Sequence, residues 1–460
     1  MATKKTELFK TVNVWKAVLT LAIPTIISQL ITVIYNMADT FFIGQLNVPA
    51  QVAAAQISLP IFMFLTALAN LFGIGGASLI SRCLGAGNRE RASNCSAFCF
   101  WAMLVCSFVY GIVILAFLSP VLNLVGAKAD TLEYCRQYVF WTVCIGAVPT
   151  VLNAGLAHLI RSEGYAAQAS IGVALGGVLN IALDPLFIFT FGLQIKGAAI
   201  ATLISNCVAT LFFLAFLWHI RKKSVLTLSP KFFTVKGGLP KEVVTVGLPS
   251  FTMTFMATLS NVVLNNIIEV YSTEATAGMG IAKKIDTVAF AIAQGMTQGT
   301  LPLIGYNYTS GNRKRMVGSF RVMLIYGLSL AVAGGLLLFI LAEPIARAFI
   351  ADAETVRYGT QFLKIICVAC PVTVVNFCII TLFQATGRKV QPLVLALLRK
   401  GGLDIPLMIL LNRFVGLDGI AWAIPVSDFI GLMVAGILLV PYLKKLKQEI
   451  PLKRENVLDP

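Results

Sequence analysis

Residues 14–43 read VWKAVLTLAIPTIISQLITVIYNMADTFFI, a nearly unbroken apolar run in which Lys16 and Asp39 are the charged residues. A helix of roughly 20 apolar residues is long enough to cross a bilayer. Similar runs recur along the chain, and we number them span one to span twelve, at 14–43, 52–80, 94–118, 136–158, 166–190, 197–219, 242–268, 275–305, 317–342, 358–382, 390–411 and 419–441. The sequence therefore predicts an all-α membrane protein with twelve transmembrane helices.

The composition agrees with a chain that lies mostly in lipid. Of the 460 residues, 58% are hydrophobic and 12% are charged, and the mean hydropathy is +0.85. Soluble domains carry about 25% charged residues. The net charge of +16 comes from short clusters between the spans, so we expect a lipid bilayer, and no nucleic acid, as a partner. The two histidines and ten cysteines lack metal-ligand spacing, and no nucleophile stands with a base, so we do not expect a membrane-embedded enzyme.

The basic clusters fall in alternate loops. Most lysines and arginines outside the spans lie in the N-terminal stretch, in the tail and in the loops after spans two, four, six, eight and ten; Arg161 is counted in the loop after span four. Loops rich in Lys and Arg stay in the cytoplasm. We therefore expect both termini to be cytoplasmic and the chain to lie in the plasma membrane of a prokaryote.

The two halves of the chain repeat each other. Residues 22–24 (AIP) resemble 247–249 (GLP), and 87–89 (GNR) recur as 311–313. Each half has six spans, so both halves begin and end on the same face, and a pseudo-twofold axis along the membrane normal relates them. Such halves enclose a central cleft that can open to either side in turn.

The predicted domain organisation follows from this repeat. It comprises a cytoplasmic N-terminus (1–13), an N-lobe of spans one to six (14–220), a cytoplasmic inter-lobe loop (221–241), a C-lobe of spans seven to twelve (242–441) and a cytoplasmic tail (442–460). We expect the protein to be a monomer.

Two acids are predicted inside the membrane in the N-lobe. Asp39 and Asp184 fall at similar depth in the outer half, with Asn180 one turn from Asp184 and Thr202 at the same level on span six. A charge there costs about 2.5–3.5 kcal/mol on insertion scales, so it needs a partner or a function. The group offers oxygen ligands for Na⁺, or two acids that could share a proton. Alternatively, Asp39 is a solvated cap and Asp184 marks a kink at Pro185.

The C-lobe differs from the N-lobe. It carries both signs of charge within its spans, at Lys283, Lys284, Asp286, Arg399, Asp404 and Asp428. We interpret these six residues as a buried, neutralised ion-pair network, extended by Gln294 and Gln298. The alternative is direct contact with a ligand.

Several short motifs resemble one family over essentially the whole chain. They include 38–40 (ADT), 75–78 (GGAS), 183–188 (LDPLFI) and 301–307 (LPLIGYN). Together they resemble the multidrug and toxic compound extrusion (MATE) family, and in particular its DinF-like subgroup. The resemblance implies a twelve-helix, two-lobe exporter of cationic, amphipathic drugs that is driven by inward flow of Na⁺ or H⁺.

The resemblance also implies roles for individual residues. A cation site would comprise Asp39, Asn180, Asp184 and Thr202. Tyr35 and Asn153 would line the N-lobe cavity, and we also assign to the substrate cavity Asn206, which lies one turn from Thr202 on span six. The NorM-like subgroup has acids on spans seven and ten, where this chain has Asn261, Asn265 and Asn376, so a C-lobe cation site of that kind is not expected.

The predicted function is therefore a cation-coupled antiporter for small organic compounds, with Na⁺ or H⁺ as the coupling ion and no other cofactor. Cation binding would shift span one at Pro24, although this proline could equally be a static kink. The alternative function is a lipid-linked saccharide or lipid flippase, a related two-lobe protein with a strongly basic cavity.

Overall fold

The computed structural model describes residues 4–350 and 352–448, and these ranges fold into helices joined by turns. The twelve spans are Val14–Gly44, Pro49–Gly85, Arg89–Ala116, the pair Leu132–Ile145 and Ala147–Ser162, Ala166–Thr190, Gln194–Ile220, Leu239–Glu269, Thr273–Thr309, Arg313–Ile340, the pair Ala353–Cys367 and Cys370–Ala385, the pair Val390–Leu397 and Asp404–Val415, and Leu417–Gln448. Of the predicted tail, 442–460, the first seven residues continue span twelve, and the part from residue 449 onward lies outside the described residues.

The spans differ in length, apolar character and continuity. Eight of them are single helices that are long and apolar enough to cross a membrane, and two bent pairs, spans four and ten, bring the number to ten. Span eight is more polar because it carries glutamines and charged residues. Span eleven is divided by the π-helical turn Leu398–Gly402. Each interruption marks a helix that is shaped by protein contacts as well as by lipid.

The repeat that is visible in the sequence recurs in the structure. Span four is bent by 54° and span ten, its counterpart, by 43°. Spans five and eleven each contain a π-helical turn. The repeated GNR motif has a local cause: Gly87 and Gly311 adopt φ of +77° and +79°, which favours glycine. Asn88 and Asn312 then cap spans three and nine by accepting a backbone N–H hydrogen bond.

The lobes meet closely on one side, which we call the basic face because the basic loops and the start of span one lie there. A Cβ on Gly75 would lie 2.2 Å from the carbonyl oxygen of Val243, and one on Gly247 would lie 1.8 Å from that of Leu71. Spans two and seven therefore pack backbone against backbone, as small residues permit.

Hydrogen bonds between the lobes follow the same distribution. Ser78 donates to the carbonyl of Gln384 at 2.5 Å, and Thr309 to that of Arg82 at 2.6 Å. Farther from the basic face, Asn70 donates to Thr254 at 3.1 Å. These hydrogen bonds and the close contacts of spans two and seven therefore hold the lobes together at and near the basic face.

Gly247→Ala is expected to lower the thermal unfolding midpoint in detergent. The new Cβ would collide with the backbone of Leu71, which cannot move aside as a side-chain tip can, and overpacking costs about 1–3 kcal/mol. Gly280→Ala is the control, because a Cβ there meets nothing within 4 Å and alanine favours the helix. Equal midpoints for the two variants would contradict the close packing of spans two and seven.

Two segments outside the spans also brace the lobes. The helix Lys4–Lys10 docks on the C-lobe, where Phe9 stacks on Tyr306 at 5.2 Å. The linker after span six docks on the N-lobe instead: Trp101 donates to the carbonyl of Leu228 at 3.1 Å, and Ser224 donates to Glu163. Both segments therefore hold helix ends at the basic face.

Candidate functional site

The candidate site is the central cleft, with a volume of about 510 Å³. This volume suits a drug-sized molecule, since ligand pockets span about 300–1,000 Å³. Spans one, two, four, five and six line it from the N-lobe, and spans seven and eight from the C-lobe. The predicted cavity residues Tyr35, Asn153 and Asn206 are all part of this lining.

Side-chain amides form much of the polar surface of the cleft. Asn153 donates to Asn206 at 2.9 Å, which links spans four and six. Gln29 of span one donates to Gln298 at 2.9 Å and to Gln294 at 3.3 Å across the lobes. The sequence analysis predicted that Gln294 and Gln298 extend the C-lobe charges. In the structure they instead bind the N-lobe through Gln29. Sequence reasoning missed Gln29, because a single glutamine in an apolar run has no visible partner.

The four residues of the predicted cation site lie together behind and beside this cleft. Asn180 donates to Asp184 at 3.2 Å and to Thr202 at 3.4 Å. Asp39 lies close enough to Asp184 for the two carboxylates to interact electrostatically. Asn180 and Thr202 face the cleft, whereas Asp184 is 0% exposed. The predicted group is therefore a spatial cluster.

This cluster contains oxygens that lack hydrogen-bond partners. One carboxylate oxygen each of Asp39 and Asp184 and the amide oxygen of Asn180 are buried without a donor. Buried acceptors are usually satisfied, because an unpaired one costs the free energy of its lost hydration. The three unpaired oxygens and the hydroxyl of Thr202 form a set of oxygen ligands suited to a sodium ion. Alternatively, a proton on one carboxylate would satisfy part of the group.

Small residues on span five bring this cluster together. A Cβ on Gly177 would lie 3.0 Å from the ring of Tyr35 on span one, and one on Gly176 would lie 3.1 Å from Ala209 on span six. The glycines let span five approach both neighbours. Asp184 lies in the last turn of the α-helix Ala166–Pro185, and the π-helical turn Leu186–Thr190 follows directly. Turns of this type are frequent at functional sites.

The structure also bears on the alternatives left open for span one. Asp39 is not a fully solvated cap, because its Oδ1 is buried. The helix runs unbroken through Pro24 from Val14 to Gly44. On either side of Pro24 it packs against span eight, where Gly295 touches Ile26 and Gly299 touches Leu21. Pro24 thus lies where span one contacts the other lobe.

The C-lobe charges form three ion-paired groups, and the first two are linked because Lys400 also interacts electrostatically with Asp428. Arg399 binds Asp428 through two hydrogen bonds, of 2.5 and 3.2 Å, and both side chains are at most 2% exposed. Lys400 lies 3.8 Å from Asp404, which also accepts from Ser260 at 2.7 Å.

The third group stands apart on span eight. Lys283 pairs with Asp286 at 3.1 Å, whereas Lys284 is exposed and takes part in neither of the other groups. None of the six predicted C-lobe residues is among the residues that line the central cleft.

Sequence reasoning also missed Arg161 and His158. Arg161 was assigned to a loop, but it belongs to span four, is 4% exposed and lines the cleft together with His158. A signal was present: Asn153, Ala157 and Arg161 follow one another at helical spacing, so they share one face of the span.

The comparisons with known proteins can be set beside this geometry. The model of the MatE family matches residues 24–186 and again 249–410, so the family's unit occurs twice. The chain is 30% identical over 451 residues to the multidrug export protein MepA of Staphylococcus saprophyticus, with 98% of each chain covered. It is 28% identical over 435 residues to MepA of Staphylococcus aureus strain MSSA476, with 95% of each covered.

Solved structures show the same architecture. A MATE crystal structure in the straight conformation has a TM-score of 0.90 at 25% identity, and the match covers 97% of this chain and 100% of that one. An outward-facing multidrug resistance MATE transporter of the MOP superfamily has a TM-score of 0.88 at 25% identity, with the same coverage.

A pair of helical lobes around a central cleft is the architecture of a membrane transporter. The chain belongs to the MATE family, which confirms the family and the all-α, twelve-span, two-lobe fold predicted from the sequence. The DinF-like subgroup stays a prediction.

Proposed function

We propose that this transporter exports amphipathic organic compounds in exchange for Na⁺ or H⁺. The observation that carries the proposal is the cluster of Asp39, Asn180, Asp184 and Thr202 beside the cleft, with its three unpaired buried oxygens. Relatives that are named multidrug export proteins support the export of varied compounds. The cleft supports it too, because Met63, Met253 and Phe290 give it apolar walls that can repack around different shapes.

The coupling mechanism follows from which spans the cluster joins. Asp39 is on span one and Asp184 on span five, so a cation bound between them ties these two helices together. Span one also packs on span eight around Pro24, so a shift of span one changes a contact between the lobes. Inward movement of one charge supplies about 2.3 kcal/mol per 100 mV of membrane potential, which tilts a two-state equilibrium toward one conformation.

The surroundings of the transporter are part of the same proposal. The basic face is cytoplasmic, as the positive-inside rule requires, and the protein is a monomer in the plasma membrane. The cation then reaches Asp39 and Asp184 from the outside through the cleft. The relatives named as multidrug exporters do not favour the lipid flippase alternative.

Transport by purified protein in liposomes tests this function. A fluorescent amphipathic dye should move against its gradient when a sodium gradient or a proton gradient is imposed, and running the two separately identifies the ion. Asp130→Asn, a change in an exposed loop, should leave the rate unchanged. Dye movement that is indifferent to both gradients would refute cation coupling.

The charge of the cargo is a separate question. The sequence resemblance predicts cationic compounds, and this stays a prediction. Among the residues that line the cleft, all of them described, there is no Asp or Glu. Amide and hydroxyl oxygens are the acceptors that the lining itself offers to a cation.

A further inference from the structure

Among the described residues that line the cleft, Arg161 is the one lysine, arginine, aspartate or glutamate, and its side chain is buried. It is 4% exposed and lies on the last turn of span four. Its guanidinium donates one hydrogen bond, from Nη2 to Ser28 of span one at 3.3 Å, and its Nε has no partner. A guanidinium carries five N–H donors, so most of its capacity is unused.

The groups around Arg161 do not neutralise it. Glu163, the nearest acid along the chain, accepts instead from Ser224 and from the backbone of Val225. His158, one turn earlier, brings no negative charge. The buried Arg399 in the C-lobe shows the contrast, because it binds Asp428 through two hydrogen bonds. A buried charge without a counter-ion costs free energy. The burial of Arg161 in the cleft is therefore best explained by an anionic group that binds to it.

We propose that Arg161 binds a carboxylate of the exported compound, so that the cargo includes anionic and zwitterionic amphipathic molecules. This inference rests on the proposed export function and specifies its substrate class. A carboxylate accepts two parallel hydrogen bonds from a guanidinium, which both neutralises the arginine and satisfies its free donors.

The position of Arg161 fixes how such a molecule would lie. Arg161 is at the end of the cleft nearest the basic face, where the lobes close, and Ser28 holds it against span one. The apolar walls that include Met63 and Phe290 lie along the cleft. The carboxylate would therefore enter deepest, with the apolar body of the molecule against these walls.

A matched pair of dyes tests the assignment by equilibrium binding, without any ion gradient. Rhodamine B carries a free carboxylate, and its ethyl ester has the same ring system without that charge. Fluorescence polarisation with purified wild-type protein should show about tenfold tighter binding of the acid than of the ester. This is the factor expected from the free energy of hydrogen bonds to a charged group. Arg161→Gln should bring the two dissociation constants to within about twofold, and Arg161→Lys should keep part of the preference.

The control is Arg221→Gln, which removes an exposed arginine at the basic end of span six and should leave the preference intact. Equal affinity of the wild type for acid and ester would overturn the proposal even if Arg161→Gln failed to fold. A preference that survives in folded Arg161→Gln would overturn it as well.

Lipid headgroups are another source of anionic groups that Arg161 could bind. Nanodiscs of defined lipid composition distinguish lipid from cargo. The preference should persist when phosphatidylglycerol is added to phosphatidylethanolamine. If phosphatidylglycerol abolished the preference by competition, Arg161 would be a binding site for lipid phosphate, and the proposal that it binds a carboxylate of the cargo would be overturned. Because binding needs no gradient, a clear preference in a protein that fails the liposome test would refute cation coupling alone.

Discussion

Asp39→Asn is expected to reduce gradient-driven export to the level of liposomes without protein. The amide has the shape of the carboxylate but carries no charge and accepts no proton, so it cannot exchange the coupling ion. Asn180 donates to Asp184, and Asp39 interacts electrostatically with Asp184, so under the proposed mechanism the loss of either acid leaves one charged group where two would bind the cation. Dye transport under an imposed sodium or proton gradient measures the effect, and Asp184→Asn should behave in the same way.

Folding must be kept apart from function in this experiment. Asp39 has a buried oxygen without a donor, so its replacement by a neutral amide should not lower the unfolding midpoint. Asp130→Asn makes the same chemical change in an exposed loop and should transport normally. Full export by folded Asp39→Asn would remove Asp39 from the coupling mechanism.

The N-lobe cluster could be predicted because its members are exceptional in their sequence context. Asp39 and Asp184 are isolated acids in apolar runs, and Asn180 is one turn from Asp184 on the same helix. The helical rise then placed both acids at similar depth. The rotation of spans one and five, which brings the two carboxylates within electrostatic reach, depends on helix packing that a sequence does not show. The closeness that permits this depends on Gly176 and Gly177, which look like any small residues in a run.

Span four shows why Arg161 was assigned wrongly. Hydropathy placed the span at 136–158, whereas the helices extend over Leu132–Ile145 and Ala147–Ser162. A hydropathy pattern finds the part of a helix that faces lipid. It misses polar turns that are buried by protein, because their surroundings depend on other spans. The same limit left the C-lobe charges as one predicted network, although the Lys283–Asp286 pair on span eight stands apart from the linked pairs on spans eleven and twelve.

Arg399→Met is expected to destabilise the C-lobe by about 3–5 kcal/mol, the cost of leaving one partner of a buried ion pair alone. Arg399 and Asp428 are at most 2% exposed, and Arg399 also lies over the ring of Phe377 at 4.7 Å. After the substitution, the carboxylate of Asp428 keeps the hydrogen bond from Thr373 and the weaker attraction of Lys400, but it loses its direct ion pair. The unfolding midpoint in detergent should fall accordingly.

The double variant Arg399→Met/Asp428→Leu separates the cost of an unpaired charge from the loss of packing. Replacing both partners by apolar residues is often neutral, so most of the lost stability should return. Arg347→Met is the control: Arg347 pairs with Glu343 at 2.8 Å, but the pair is exposed, and its loss should leave the midpoint unchanged. If the double variant were as unstable as Arg399→Met, the cause would be lost shape rather than a stranded charge. Recovery would instead show that the ion pair between spans eleven and twelve is structural and that apolar packing can replace it.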